Sequence, residues 1–168
     1  TIHPRPDQRH IRYKDALDLP QVLTTEYNIE GNPISKFIDL VLEIKPTQVT
    51  LVPDSEDAIT SNAGWNTVKH QKYLKKIIEQ FKVNGIRTSI FVDPEITMVQ
   101  GAFDTGTDRI EFYTESYAKN YHIDKSKAIS PYINAAKKAK ELGIGLNAGH
   151  DLNLKNLAYF SQNIPDLL

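Results

Sequence analysis

Residues 109–114 read RIEFYT, and the side on which their acidic residue falls decides the fold. Side chains alternate across a strand, so Ile110 and Phe112 share one face while Glu111 and Tyr113 share the other. The same alternation recurs in EYNIE (26–30), where Asn28 and Glu30 oppose Ile29, and in TSIFVD (88–93), where Ser89, Phe91 and Asp93 oppose Ile90 and Val92. An open parallel sheet covered by helices on both sides has strands that are apolar on both faces. Barrel strands instead turn alternate residues into a lumen and carry their functional groups at the C-terminal ends. A polar face on several strands therefore predicts a (β/α)8 barrel and disfavours a doubly wound sheet. Neither a GxGxxG dinucleotide loop nor a GxxxxGK[ST] phosphate loop is present, which disfavours the nucleotide-binding open sheets further.

Working outward, short β-rich runs alternate with helical stretches, the signature of a parallel α/β sheet. The runs are TIH (1–3), EYNIE, QVTLVPD (48–54), RTSIFVD (87–93), RIEFYT and GIGLNAG (143–149). The clearest helix lies in WNTVKHQKYLKKIIEQFKVNG (65–85), where Val68, Tyr73, Leu74, Ile77, Ile78 and Phe81 recur at helical spacing before Gly85. Six strands are fewer than the eight of a closed barrel. The expectation is a single α/β domain over 1–168, an incomplete (β/α)8 barrel truncated at both ends, in which TIH is the second strand and NIPDLL (163–168) approaches a last one.

Composition sets outer bounds. Twenty Lys and Arg balance 21 Asp and Glu for a net charge of −1, without the basic footprint of a nucleic-acid binder. There is no Cys, hence neither a disulfide framework nor thiolate chemistry, and the apolar runs are far shorter than the ~20 residues that span a bilayer. The chain reads as a soluble cytoplasmic protein that binds neither nucleic acid nor membrane.

Several residues carry candidate chemistry. His3, Arg5 and His10, with Arg9 beside them, follow the first run closely, and such donors on a βα loop suit a sugar-phosphate dianion; a solvated polar loop is the plainer reading. Glu30 and Glu111 sit on inward faces, where desolvation raises a carboxyl pKa toward that of a useful acid or base; a structural ion pair would also place them there. NAGHD (147–151) sets His150 just past a strand, suited to giving a proton to a leaving group or simply to a polar loop position. Asp151 suits the cap of a following helix that uses Leu154 and Leu157, and Thr60 suits a phosphate contact or a turn. His70, within a helix, and His122, in a loop, read as structural or solvated. No HxH, HExxH or CxxC spacing favours a metal, and none of the six runs ends in a Schiff-base Lys.

Taken together, TIHPRPDQRHI, the run ending NIE at Glu30, VTLVPD followed by ITSNAGW, SIFVDP, DRIEFYT and GLNAGHDL resemble the pyridoxine 5'-phosphate synthase family of vitamin B6 biosynthesis, colinearly over essentially all 168 residues. The resemblance implies a (β/α)8 barrel that condenses 3-amino-2-oxopropyl phosphate with 1-deoxy-D-xylulose 5-phosphate, giving pyridoxine 5'-phosphate, phosphate and water. It implies two small-molecule substrates, an aminoketone phosphate and a sugar phosphate, no metal or organic cofactor, and an oligomer of barrels. Residue by residue, it implies that His3 and Glu30 are acid/base groups, that Glu111 stabilises charged intermediates and that His150 is the proton donor. Arg5, His10 and Thr60 would contact the deoxyxylulose phosphate. Asp151, also a substrate-binding position by the resemblance, stands where the family usually has Gly; a backbone contact to substrate survives that change, whereas its carboxylate would repel a nearby phosphate. The family's first strand segment and its last Gly-His pair have no counterpart here. Two rival readings stay open: another sugar-phosphate barrel enzyme, such as an isomerase or epimerase, and an inactive phosphate-binding fragment of such a barrel.

Overall fold

A computed structural model describes residues 1–54, 60–164, 166 and 167. Its centre is a five-stranded, wholly parallel sheet of β1 (Asn28–Gly31), β2 (Gln48–Leu51), β3 (Arg87–Val92), β4 (Arg109–Phe112) and β5 (Gly145–Ala148), in the spatial order β1-β2-β3-β4-β5. Each strand lies beside the next in sequence, so the order never reverses. Because βαβ crossovers are almost always right-handed, an unreversed order puts every crossover helix on one side of the sheet. This is the winding of a barrel wall, and the α/β parallel arrangement is that of an incomplete TIM-type barrel.

The helices are α1 (Tyr13–Asp18), α2 (Ser35–Ile44), α3 (Gln71–Lys82), α4 (Ile96–Asp104), α5 (Glu115–Asn120), α6 (Lys125–Leu142) and α7 (Leu157–Asn163). Ile29, Val49, Leu51, Ile90, Val92, Ile110, Phe112 and Leu146 face this layer and join Phe37, Leu74, Phe81, Tyr117, Tyr132 and others in one apolar core. The commitment of these residues to the helices turns their neighbours the other way, which puts Glu30, Phe91 and Glu111 on the lumen side as the alternation predicts.

Two details differ from the sequence reading. TIH is not a strand: Ile2 makes a single parallel bridge to Ile29, through Ile2 N–H donating to Asn28 O (3.0 Å) and Glu30 N–H donating to Ile2 O (2.8 Å). Pro4 and Pro6 lack the N–H that a longer ladder needs. Leu167 makes a matching parallel bridge to Leu146 on the opposite edge. The second difference is α3, which begins at Gln71, so that His70 is its N-cap and Val68 lies exposed in the preceding turn. There the Asn66 side chain accepts from Lys69 N–H and Trp65 N–H donates to Phe91 O, and both bonds compete with helix. Leu74, Ile77, Ile78 and Phe81 form the buried stripe as expected, while Tyr73 is partly exposed and donates its hydroxyl to Pro33 O.

Candidate active site

The lumen face walls a cavity of about 610 Å3. Glu30 enters it from β1 and Glu111 from β4; His3 and Arg5 come from the segment bridged to β1, Thr60 from the loop after β2 and His150 from the loop after β5. Six of the eight sequence candidates thus meet at the C-terminal end of the parallel strands, where barrel loops converge. The other two lie outside the lining. His10 is exposed on the loop before α1. Asp151 does not cap α7, whose N-cap is Asn156; it lies behind His150 instead. Leu154 is almost fully exposed and Leu157 partly so, hence neither anchors that helix to the core.

Each side chain is held by what its element supplies. Arg5 is buried and forms an ion pair with Asp54 (Nη1 to Oδ2, 2.8 Å), whose carboxylate also accepts from Ser61 Oγ (2.9 Å). His150 packs edge-on against Tyr113, with ring centroids 5.1 Å apart, and lies near Phe91. Its carbonyl accepts from Thr114 Oγ1. Across the cavity mouth, His150 Nε2 lies 3.4 Å from Thr60 Oγ1, and on its other side Nδ1 lies 2.6 Å from Asp151 Oδ2. Gly64 is required by close approach: a Cβ there would fall 2.3 Å from Asp93 N, and Gly64 N–H donates to the Asp93 carboxylate (3.0 Å).

The electrostatics separate the proton carriers. Burial, helped by the Arg5 charge, pushes His3 down from 6.5 to about 4, so its ring is neutral at physiological pH and available to take a proton. Burial pushes the Glu30 and Glu111 carboxyls up, the charge of Glu30 adds to the rise at Glu111, and His150 works against the rise at Glu30. Neither carboxylate forms a salt bridge among the described residues. A neutral imidazole, a second imidazole and two carboxyls that retain protons near neutral pH can give and take protons at several points around one bound molecule.

Sequence reasoning passed over Asp54, although QVTLVPD ends on it and the strand-end rule applied to Glu30 and Glu111 would have found it. It also passed over the far end of the lumen. There Arg87 donates to Glu26 (2.5 and 3.0 Å) and to Gln48 Oε1 (2.8 Å), while Arg109 reaches the same Gln48 oxygen at 3.5 Å. Nothing local marks these residues, because the bonds span 39 to 61 positions of chain.

Comparison with known proteins adds the chemistry. The family model described as pyridoxal phosphate biosynthesis protein PdxJ matches residues 1–168. The chain is 64% identical over 168 residues to the pyridoxine 5'-phosphate synthase of Flavobacterium johnsoniae, an alignment that covers 100% of this chain and 71% of the relative. It is 64% identical over 167 residues to that of Christiangramia forsetii and 62% identical over 167 residues to that of Cytophaga hutchinsonii, in each case over 99% of this chain and 70% of the relative.

Proposed function

The chain belongs to the PdxJ family of pyridoxal phosphate biosynthesis proteins, and from that premise we propose how its residues divide the work of a pyridoxine 5'-phosphate synthase. The enzyme condenses 3-amino-2-oxopropyl phosphate with 1-deoxy-D-xylulose 5-phosphate and releases pyridoxine 5'-phosphate, phosphate and water. Imine formation, loss of phosphate, ring closure and aromatisation each move protons, so the demand on the protein is for several acids and bases around one substrate.

In this reading the convergence of His3, Glu30, Glu111 and His150 on one cavity is the observation that carries the assignment. Neutral His3 takes a proton from the amine or hydroxyl that attacks, with Arg5 close enough to hold an anion and keep the ring neutral. Glu30, held partly protonated by burial, gives and recovers protons in the middle steps. Glu111 places a carboxyl beside cationic intermediates, and its affinity for a proton falls when such a cation forms nearby. His150 protonates the oxygen that leaves as water. Arg5, Thr60 and His10 contact the deoxyxylulose phosphate. Assembly into an oligomer of barrels and a cytoplasmic location belong to the same proposal. No helix among the described residues is long and apolar enough to cross a membrane.

The test is to supply both substrates and follow the pyridoxine phosphate chromophore with wild-type protein and with His150→Ala. Product formed by the first and lost in the second supports the assignment. Turnover of deoxyxylulose phosphate alone, with no demand for the aminoketone, would replace it with an isomerase or epimerase reading.

A further inference from the structure

The contact between His150 and Asp151 lies between neighbours in sequence, yet it needs an uncommon backbone. Asp151 has φ of 59°, in the left-handed region that non-glycine residues seldom occupy and that Asp tolerates better than most. This conformation brings Oδ2 to 2.6 Å from His150 Nδ1. The backbone on either side is pinned independently: Thr114 Oγ1 donates to the His150 carbonyl, and Asn156 Nδ2 donates to the Asp151 carbonyl (3.3 Å). The carboxylate is therefore not what holds the loop in place.

We propose that Asp151 is a positioning residue for His150, fixing the ring so that Nδ1 carries its proton toward the Asp151 carboxylate and Nε2 faces the cavity. An ionised carboxylate can only accept, so the proton in this bond resides on Nδ1. The neutral ring then presents a bare Nε2 lone pair toward the cavity mouth, where the Thr60 hydroxyl stands 3.4 Å away. When the ring is protonated, Nε2–H is the proton that can be given. Its transfer to the departing oxygen releases water and leaves the neutral Nδ1–H imidazole bonded to Asp151, so the ring returns to the same tautomer without turning. Tyr113, edge-on to the ring, limits the alternative flip.

The proposal rests on the reading of His150 as the proton donor, and the experiment separates the two. In the 15N-labelled full chain, at a pH where the ring is neutral, two-bond N–H correlations report the His150 tautomer, with His150→Gln supplying the assignment. The expected result is the Nδ1–H form in the wild type and in Asp151→Asn, which keeps an acceptor, and a mixture of tautomers in Asp151→Gly, which suits the backbone but keeps no side chain. In turnover, Asp151→Gly lowers kcat by about 10-fold at unchanged KM, a part of the roughly 10²–10⁴-fold that a placed acid supplies; Asp151→Asn restores most of it. A wild-type ring found in the Nε2–H form, or an Asp151→Gly ring that keeps the wild-type tautomer, overturns the positioning role. Full turnover by His150→Gln would instead overturn the donor reading and leave the tautomer result standing.

Discussion

The two ends of the lumen are built on the same strands and both carry polar side chains, yet they are held in opposite ways. At the N-terminal end, Arg87 is matched by the Glu26 carboxylate and Gln48, and Asn28 Oδ1 accepts from Gln48 Nε2 and Thr50 Oγ1. The Arg87 bonds favour the charged forms, lowering Glu26 and raising Arg87 from their usual values. At the C-terminal end, Glu30 and Glu111 are desolvated without a cationic side chain bonded to them among the described residues, and the neutral form is favoured. Burial with compensation fixes a charge and makes structure, whereas burial without it leaves a proton free to move. The ion pair of Arg5 with Asp54 lies between these cases: compensated like the base of the lumen, but opening on the cavity.

Substitutions at the two ends should therefore fail differently. Glu30→Gln is expected to lose on the order of 10²–10⁴-fold in kcat with no loss of melting temperature, measured by steady-state turnover and thermal unfolding. A folded Glu30→Gln enzyme with normal turnover would erase the distinction between the ends. Asp54→Ala removes one half of a buried ion pair, and chemical denaturation should report a loss of about 3–5 kcal/mol. Arg87→Met at the opposite end should cost about 1–2 kcal/mol through its lost hydrogen bonds, its partly exposed pair with Glu26 adding little, while turnover per folded molecule stays the same.

The pH dependence of stability distinguishes the two kinds of group by sign. His3 has a folded value of about 4, below its ordinary 6.5. Its neutral ring contributes stability that is fully present above about pH 6.5 and is lost as pH falls through about 4. His3→Asn should flatten that acid limb. Glu111 is shifted upward, so below its ordinary 4.5 it costs nothing and stability is lost as pH rises from there through its folded value. Glu111→Gln should therefore be more stable than wild type at alkaline pH. Melting temperatures collected from pH 4 to 9 test both, and a wild-type slope in either variant would sink that part of the comparison.

Much of this molecule was legible in the chain. The alternation in RIEFYT, EYNIE and TSIFVD sorted Ile29, Ile110 and Phe112 to the helices and Glu30 and Glu111 to the lumen, because a period of two is a property of the strand alone. The buried stripe of α3 was readable for the same reason at a period of 3.6. Less legible was where elements stop. The prolines that end the pairing at Ile2 and the side-chain bond that delays α3 both act through hydrogen-bond accounting, which hydrophobic spacing does not register. Within the site, Asp151 carried a local signal for a helix cap, and the cap fell to Asn156 because the left-handed turn at Asp151 sends its carboxylate back to His150.

The sequence by itself determined which residues can face a lumen, the parallel α/β class, and a family match that runs the length of the chain. Those are consequences of backbone periodicity and of residue order, both of which exist before any distant contact forms. Only the tertiary structure decided that Arg5 is bound to Asp54, that Arg87 and Gln48 close the base of the lumen, and that neither Glu30 nor Glu111 is bonded to a cationic side chain among the described residues. Charge compensation and desolvation depend on groups brought together from positions as many as 61 residues apart, and packing, rather than local pattern, sets those distances.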